Sequence, residues 1–290
     1  MHNMKTPLVT IAIPIYNAEA YLEYAIQSCI NQTYQNWELL LMCDGSTDNS
    51  DSIAMEFAER DERIKIVKDN NNRGLVYRLN QSVNMANGKY YARMDADDIM
   101  VIDRLEKEVL FLEKNPVIDV VGSSMMIIDG NNNIIGSSLH TSDDTFVHPS
   151  VMGKTQWFKD NAYDENAVRA EDFDLWSRTR EFSHFSNIES PLLFYRTFGM
   201  PTTSKVLATY RTMRKLSSRY NDYGKNKFWA IKHYIIYTIK IFVFVTASLI
   251  GMQGLIIKHR HQKKIPNELC LTLENLNESI RHKASNLIRS

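Results

Sequence analysis

Cysteine is scarce in this chain. Its 290 residues hold three, Cys29, Cys43 and Cys270, an odd number with no metal-type spacing. That argues against a disulfide scaffold and a zinc site, and it suits a reducing compartment. Net charge is also missing, because 34 Lys and Arg balance 34 Asp and Glu. No global field therefore draws the chain to nucleic acid. The opening MHNMKTP has no adequate apolar stretch before the first strand, so no cleavable signal peptide is expected. VTIAIPIYNAEAYLE (9–23) has neither glycine nor lysine, which counts against the glycine-rich basic loop of a nucleotidyltransferase. Internal repeats and low-complexity linkers are absent as well.

What is present is an ordinary globular composition, 44% hydrophobic and 23% charged, with room for one large domain or a domain plus an appendage. The charge balance hides an asymmetry. Residues 1–199 carry 18 basic against 30 acidic side chains, and residues 200–290 carry 16 against 4. An acidic body precedes a basic tail.

Strand and helix patterns alternate at short intervals along the body. LVTIAIPIYN (8–17), WELLLMC (37–43), IKIVKD (64–69) and KYYARMD (89–95) read as strands. Helical patterns at 18–32, 51–61 and 74–88 separate them. This order predicts an α/β fold, a mostly parallel sheet with helices on both faces. From 105 onward the pattern loosens: a helix at 105–115, a hairpin about GNN between 119–129 and 133–139, a helix near 170–182 and a strand at 190–196. Ligands of such sheets bind outside the carboxyl ends of the strands. Those ends read PIYN, CDGS, DNNNRG and MDADD, each a polar cluster where that rule places a site.

In ARMDADDIM (92–100), Asp95, Asp97 and Asp98 crowd together after a short apolar run. Like charges this close disfavour one another's ionisation unless a positive group lies between them. One reading is a hard divalent cation that takes carboxylate oxygens and leaves positions for a diphosphate. The other is an acidic turn capping the helix near Asp103.

The ordered set PIYN, QTYQNWELLLMCDGSTDNS, NNRG, GKYYARMDADD, HPSVM, AEDFDLWSR and LLFYR resembles the family 2 glycosyltransferases of the GT-A fold, over residues 8–197. The resemblance implies a Rossmann-like catalytic domain at 1–200, with a nucleotide-binding half at about 1–100 and an acceptor half at about 101–200. It implies an inverting enzyme that uses a nucleotide-diphosphate sugar. By motif, Asp44 matches the aspartate that hydrogen-bonds the base, usually uracil, and Pro14 and Tyr16 match the loop on the nucleoside. Asp95 matches the acid near ribose and metal. Asp97 matches the direct ligand of Mn²⁺ or Mg²⁺, with Ala96 between them on the donor. Asp172 matches the general base. The chain departs from the pattern twice: Cys43 stands where many relatives have a second aspartate, and Phe198 stands where many have a histidine after the YR strand. The second departure puts a third protein ligand, and strict metal dependence, in doubt.

Other polar candidates carry two readings each. Glu171, Asp172 and Asp174 sit where a carboxylate could take an acceptor proton or simply complement a helix dipole. Arg73 and Arg78 flank Gly74 as phosphate or base contacts, or as solvated arginines. His148 touches sugar or acceptor, or is a satisfied loop histidine. Trp157 is a stacking platform for an acceptor sugar, or core, and Glu171 joins these two as an acceptor candidate.

The tail 201–290 is basic and is expected to be amphipathic and helical. Positions 241–257 carry no charge, a stretch at the short limit for a bilayer span. Lys225, Lys232, His233 and Lys240 share one arc of a helical wheel, and both flanks are basic. Segment 225–264 is therefore expected to lie on an anionic membrane surface, with a span or a helical-pair or homodimer contact as alternatives. The expected place is the cytoplasm, peripheral on the inner face of the membrane. With the resemblance, this implies a glycan acceptor, lipid-linked as in O-antigen, capsule or exopolysaccharide synthesis. A non-catalytic nucleotide-sugar-binding scaffold and a nucleotidyltransferase are the competing readings.

Overall fold

The computed structural model describes residues 6–138, 146–199 and 202–249. Expectations for 250–290, including a further amphipathic helix near the end, lie outside the described residues. Two compact units divide these residues. The first takes 6–160 and 184–197, and the second takes 161–183 and 198–249.

The first unit is built on a nine-stranded sheet. β1 (Val9–Ile15), β2 (Trp37–Cys43), β3 (Ile64–Lys68) and β4 (Tyr90–Arg93) pair in parallel in the order β3-β2-β1-β4. β1 and β2 are almost continuously apolar because both faces of a parallel sheet are covered. The covering helices are α1 (Leu22–Ile30), α2 (Ser50–Arg60) and α3 (Leu75–Met85). Leu22, Ala25, Ile26 and Cys29 of α1 and Ala54 and Phe57 of α2 join the strand residues in one core. Cys43 is buried in that core, so the loss of an acid there exposes no gap in the polar loop.

The alternation predicts a mostly parallel sheet, but the far half is mixed. β5 (Ile99–Met100) and α4 (Arg104–Lys114) lead to β6 (Val120–Ile128) and β7 (Ile134–Ser138), the antiparallel hairpin about GNN. Asp129 closes its turn by accepting from the backbone of Asn131 and Asn133 at 2.8 and 2.9 Å. β8 (Met152–Lys154) is antiparallel to β4 and β6, and α5 (Thr155–Asp160) follows it. β9 (Phe185–Arg196) runs parallel to β6 and antiparallel to β5. Short strands without crossover helices leave antiparallel pairing as the way to satisfy their backbone groups.

Loops at the carboxyl ends of β1, β2 and β3 are stitched together. The Asn17 side chain accepts from Thr47 N at 2.8 Å, and Ala18 N donates to Ser50 Oγ at 2.8 Å. Gly45 holds φ +70°, and a Cβ there would sit 2.9 Å from the backbone nitrogen of Asn72. Only glycine lets these two loops approach so closely.

The second unit contains α6 (Glu171–Thr179), α7 (Thr203–Leu216) and α8 (Lys227–Leu249). Ala167, Ala170, Leu216 and Tyr223 form its core, with Phe173, Met213 and Trp229 against it. Asp174 is fully buried and accepts from Tyr223 Oη at 2.9 Å and Arg178 Nε at 3.0 Å. Buried and fully engaged, Asp174 ties α6 to the segment before α8. Along α8, Phe244 is buried edge-on against Tyr210 of α7. The opposite side is open, with Phe228, Ile231, Ile235, Ile239, Phe242 and Leu249 all exposed.

Candidate active site

The site begins with Asp44, which follows the last residue of β2 and is buried. Its Oδ1 accepts from Arg73 N and from Arg78 Nε, both at 2.8 Å, and its Oδ2 accepts from Gly74 N at 3.0 Å. A carboxylate has about four lone-pair positions, so Oδ2 keeps one for a further donor. Neither reading of Arg78 as a direct ligand contact or a solvated arginine describes it. Arg78 is fully buried, and its other nitrogens reach Asp69, Asn71 O and Gln81 at 2.6, 2.7 and 2.8 Å. Arg73 touches Asp44 through its backbone. Its guanidinium pairs with Asp69 at 2.6 Å and lies over the Tyr77 ring. Hydrogen bonds from Arg78 and then Arg73 hold the Asp69 carboxyl well below the usual carboxylate range.

This network makes Arg78 a structural cation whose removal strands the buried Asp44 charge. Arg78→Met is expected to cost about 3–5 kcal/mol of stability, the range for halving a buried ion pair. Urea unfolding monitored by circular dichroism reads this directly.

Beside Asp44, Pro14 is half-buried in β1 and Tyr16 stands 52% exposed just beyond it. That leaves the Tyr16 ring with a free face at the mouth of the stitched loops.

The acidic loop leaves β4 with Met94 N still bonded to Ala12 O at 3.1 Å. Met94 and Ala96 turn into the core, so the alternating Asp95 and Asp97 turn out. Asp95 pairs with Arg93 at 2.7 Å. Asp98 folds back and is fully buried, with Oδ1 accepting from Arg196 N at 2.8 Å. Each of the three acids offers an oxygen, and these lie within 4.8 Å of one another. Burial, then the charge of Asp95, pushes the Asp97 carboxyl up to about 6. Burial and then the charges of Asp95 and Asp97 hold Asp98 well above the ordinary range. Asp98 Oδ2 is buried without a hydrogen-bond partner. An oxygen-only donor set with a stranded buried oxygen fits a hard divalent cation.

Two residues shape this site that motif matching did not assign to it, Asp98 and Arg196. Arg196 ends β9, donates from Nε to Asp97 O and from Nη1 to Asp129 O, both at 2.7 Å, and stacks over Tyr21 at 4.2 Å. Its backbone and side chain thus fix the acidic loop from the neighbouring strand. The signals were the third acid of DADD and the arginine closing LLFYR.

His148 lies in the single 3-10 turn His148–Ser150, and burial, then the Arg93 charge, keeps its pKa well below normal. Trp157 on α5 is buried edge-on against Phe158 and Phe185, at 5.0 and 5.7 Å between ring centroids. Those contacts describe a core residue.

In the second unit, Glu171 is buried at the start of α6, and Asp172 is partly open. The Asp172 carboxylate accepts from Phe173 N at 2.8 Å. Phe198 is exposed in the same unit.

With this geometry in place, the comparisons with known proteins agree on the class. The glycosyl transferase family 2 profile matches residues 10–183. An uncharacterized glycosyltransferase of Methanocaldococcus jannaschii is 32% identical over 85% of this chain and 92% of its own length. The Escherichia coli UDP-Glc:alpha-D-GlcNAc-diphosphoundecaprenol beta-1,3-glucosyltransferase WfgD is 26% identical over 82% of this chain and 96% of its own. Among solved structures, Staphylococcus aureus TarS 1–349 in complex with UDP-GlcNAc superposes with a TM-score of 0.63 at 17% identity, covering 81% of this chain and 73% of that one. The Pyrobaculum calidifontis mannosyltransferase PcManGT, in complex with GDP-Man and Mn²⁺, gives 0.60 at 15% identity, covering 89% and 82%. The chain belongs to glycosyl transferase family 2, has the GT-A fold, and is a glycosyltransferase.

Proposed function

We propose that this glycosyltransferase moves a sugar, with inversion, from a UDP-sugar to a hydroxyl of a lipid-linked glycan acceptor. The observation that carries the donor side is the Asp95–Asp97–Asp98 cluster with its stranded buried oxygen at the end of β4. The complexes of TarS with UDP-GlcNAc and of PcManGT with GDP-Man and Mn²⁺ support a nucleotide-diphosphate donor and a divalent ion. The name of WfgD, with its diphosphoundecaprenol acceptor, supports the lipid link and a role in polysaccharide synthesis.

Each residue then has a task. The spare lone pair on Asp44 Oδ2 receives the N–H of uracil, and the exposed ring of Tyr16 covers the nucleoside with Pro14 behind it. Arg73 and the backbone of Ala96, whose side chain stays in the core, line the donor. Asp97 and Asp95, with Asp98 behind them, hold Mn²⁺ or Mg²⁺. A cation there supplies stabilisation of charge on the leaving diphosphate. Asp172 takes the proton of the attacking hydroxyl. The new bond forms from that oxygen to the anomeric carbon as the bond to the diphosphate oxygen breaks and its electron pair leaves with UDP.

The test is calorimetric titration of UDP, GDP, dTDP and CDP with and without Mn²⁺. Selective UDP binding, tightened by the ion, is expected. Absence of binding to all four by the folded protein would overturn the nucleotide-donor assignment.

The tail fits the same assignment. α8 is long and apolar enough to cross a bilayer, with a mean hydropathy of 1.4 over its most apolar window. Lys240 lies off its open apolar stripe, over Tyr210 and Tyr237 of the α7–α8 pair, at 5.8 and 4.9 Å. We assign the open apolar stripe to the inner membrane surface, with the body in the cytoplasm. Replacing Phe228, Ile231 and Ile235 together with glutamate is expected to lower binding to phosphatidylglycerol vesicles at least about tenfold, since burying each such side chain is worth about 1.5–3 kcal/mol. Co-sedimentation measures it, and unchanged sedimentation would remove α8 as the anchor.

A further inference from the structure

The second unit holds a cavity of about 250 Å³ that the transfer chemistry does not use. It is lined by Phe173, Ser177 and Arg180 from α6 and the residue after it, Tyr223, Lys225, and Trp229, His233 and Tyr237 from α8. Three of these observations point to one kind of ligand. The wall is aromatic: the Trp229 and His233 rings stack at 3.9 Å, and Tyr223 stands edge-on to both Phe173 and Trp229. The charged side chains on the lining are Arg180 and Lys225, both positive, and among the described residues no carboxylate lines the space. Two nearby acids have partners of their own. Asp174 is bound to Tyr223 and Arg178, and Asp222 pairs with Arg219 at 3.0 Å. Glu181 lies against Gly224, between the lining residues Tyr223 and Lys225.

Size narrows the ligand further. Pockets for whole drug-sized molecules run from about 300 to 1,000 Å³, so this one takes a headgroup and not a nucleotide. Position decides the rest. Trp229, His233 and Tyr237 recur every fourth residue and share one face of α8. Phe228, Ile231, Ile235 and Phe242 occupy the opposite face and are exposed. A helix is about 10–12 Å across with its side chains, so a lipid-facing stripe on one side leaves the pocket within a headgroup's depth of the membrane surface. Phe173, on the pocket wall, is the residue next to Asp172.

We propose that this pocket binds the phosphate-bearing head of an isoprenoid-diphosphate acceptor. Arg180 and Lys225 meet the phosphates, and the aromatic wall holds the first apolar or sugar unit. The inference rests on the lipid-linked acceptor reading above and adds to it where the acceptor is held. Bulk anionic phospholipid shares the phosphate chemistry, and the experiment separates the two.

The probe is farnesyl diphosphate, titrated calorimetrically into the full chain, with farnesol, inorganic diphosphate and short-chain phosphatidylglycerol as comparisons. Farnesyl diphosphate is expected to bind at least tenfold more tightly than any of the three. Arg180→Gln/Lys225→Gln, at two exposed positions, is expected to weaken it at least tenfold. Ser177→Phe, which fills the pocket and leaves both cations in place, should do the same. Thermal unfolding checks that both variants remain folded. Unchanged binding in both variants, or phosphatidylglycerol equal to farnesyl diphosphate, overturns the proposal. UDP titration of the same wild-type sample reads the donor separately. UDP binding without farnesyl diphosphate binding removes the pocket alone, and the reverse removes the donor assignment while the pocket stands.

Discussion

Asp172→Asn is expected to bind UDP with wild-type affinity and to transfer sugar about 10²–10⁴-fold more slowly, the usual contribution of a general base. The substitution keeps the shape and the hydrogen-bond acceptor that meets Phe173 N. It removes only the capacity to take a proton. Asp172 stands on the first turn of α6 and has no assigned part in donor binding. Donor affinity and turnover should therefore separate cleanly. Turnover measured at saturating donor, beside calorimetry with UDP, checks both halves. A variant with wild-type turnover would take Asp172 out of the base role.

Asp97→Asn has the opposite expected signature. It should abolish the tightening of UDP binding by Mn²⁺ and reduce transfer at least about 10²-fold, because a cation on the diphosphate supplies several kcal/mol of charge stabilisation. The pH dependence follows from the direction of the shift. The Asp97 carboxyl is raised to about 6, so below that pH it is mostly protonated and the ion must displace a proton. Above it the carboxylate is free to bind. The Mn²⁺ effect on UDP affinity in the wild type should be small at pH 5 and rise through pH 6 to a plateau near neutrality. In Asp97→Asn it should be flat and near zero throughout. A wild-type profile that is flat across this range would count against Asp97 as the ligand.

The first half of the fold could be read from periodicity because its signals are local. WELLLMC is apolar at every position but Glu38 because β2 is buried on both faces, and Glu38 is buried with Thr10 and Lys65 bonded to its carboxylate. The far half could not be read in the same way. β5 has two residues and β8 three, too few to show any period. β9 begins at Phe185, well before the apolar run at 192–194, and its first residues, FSNIES, mix apolar and polar side chains with none fully buried, so they carry no strand signal. The acids of the site were visible as a cluster, but their support was not. Arg78 is buried because Asp44 and Asp69 come to it from other loops. Arg196 meets Asp97 and Asp98 across nearly a hundred residues of chain. Long-range pairing of this kind leaves no trace in local spacing.

With Asp44 as the proposed contact to the base, Gly45 limits how nucleotide preference could be changed. Any side chain at 45 collides with the backbone of Asn71 and Asn72, so the wall beside Asp44 cannot be remodelled by substitution there. Tyr16 has no such constraint, since half of it already faces open space. A library meant to redirect donor choice should hold position 45 fixed and spend its diversity at position 16.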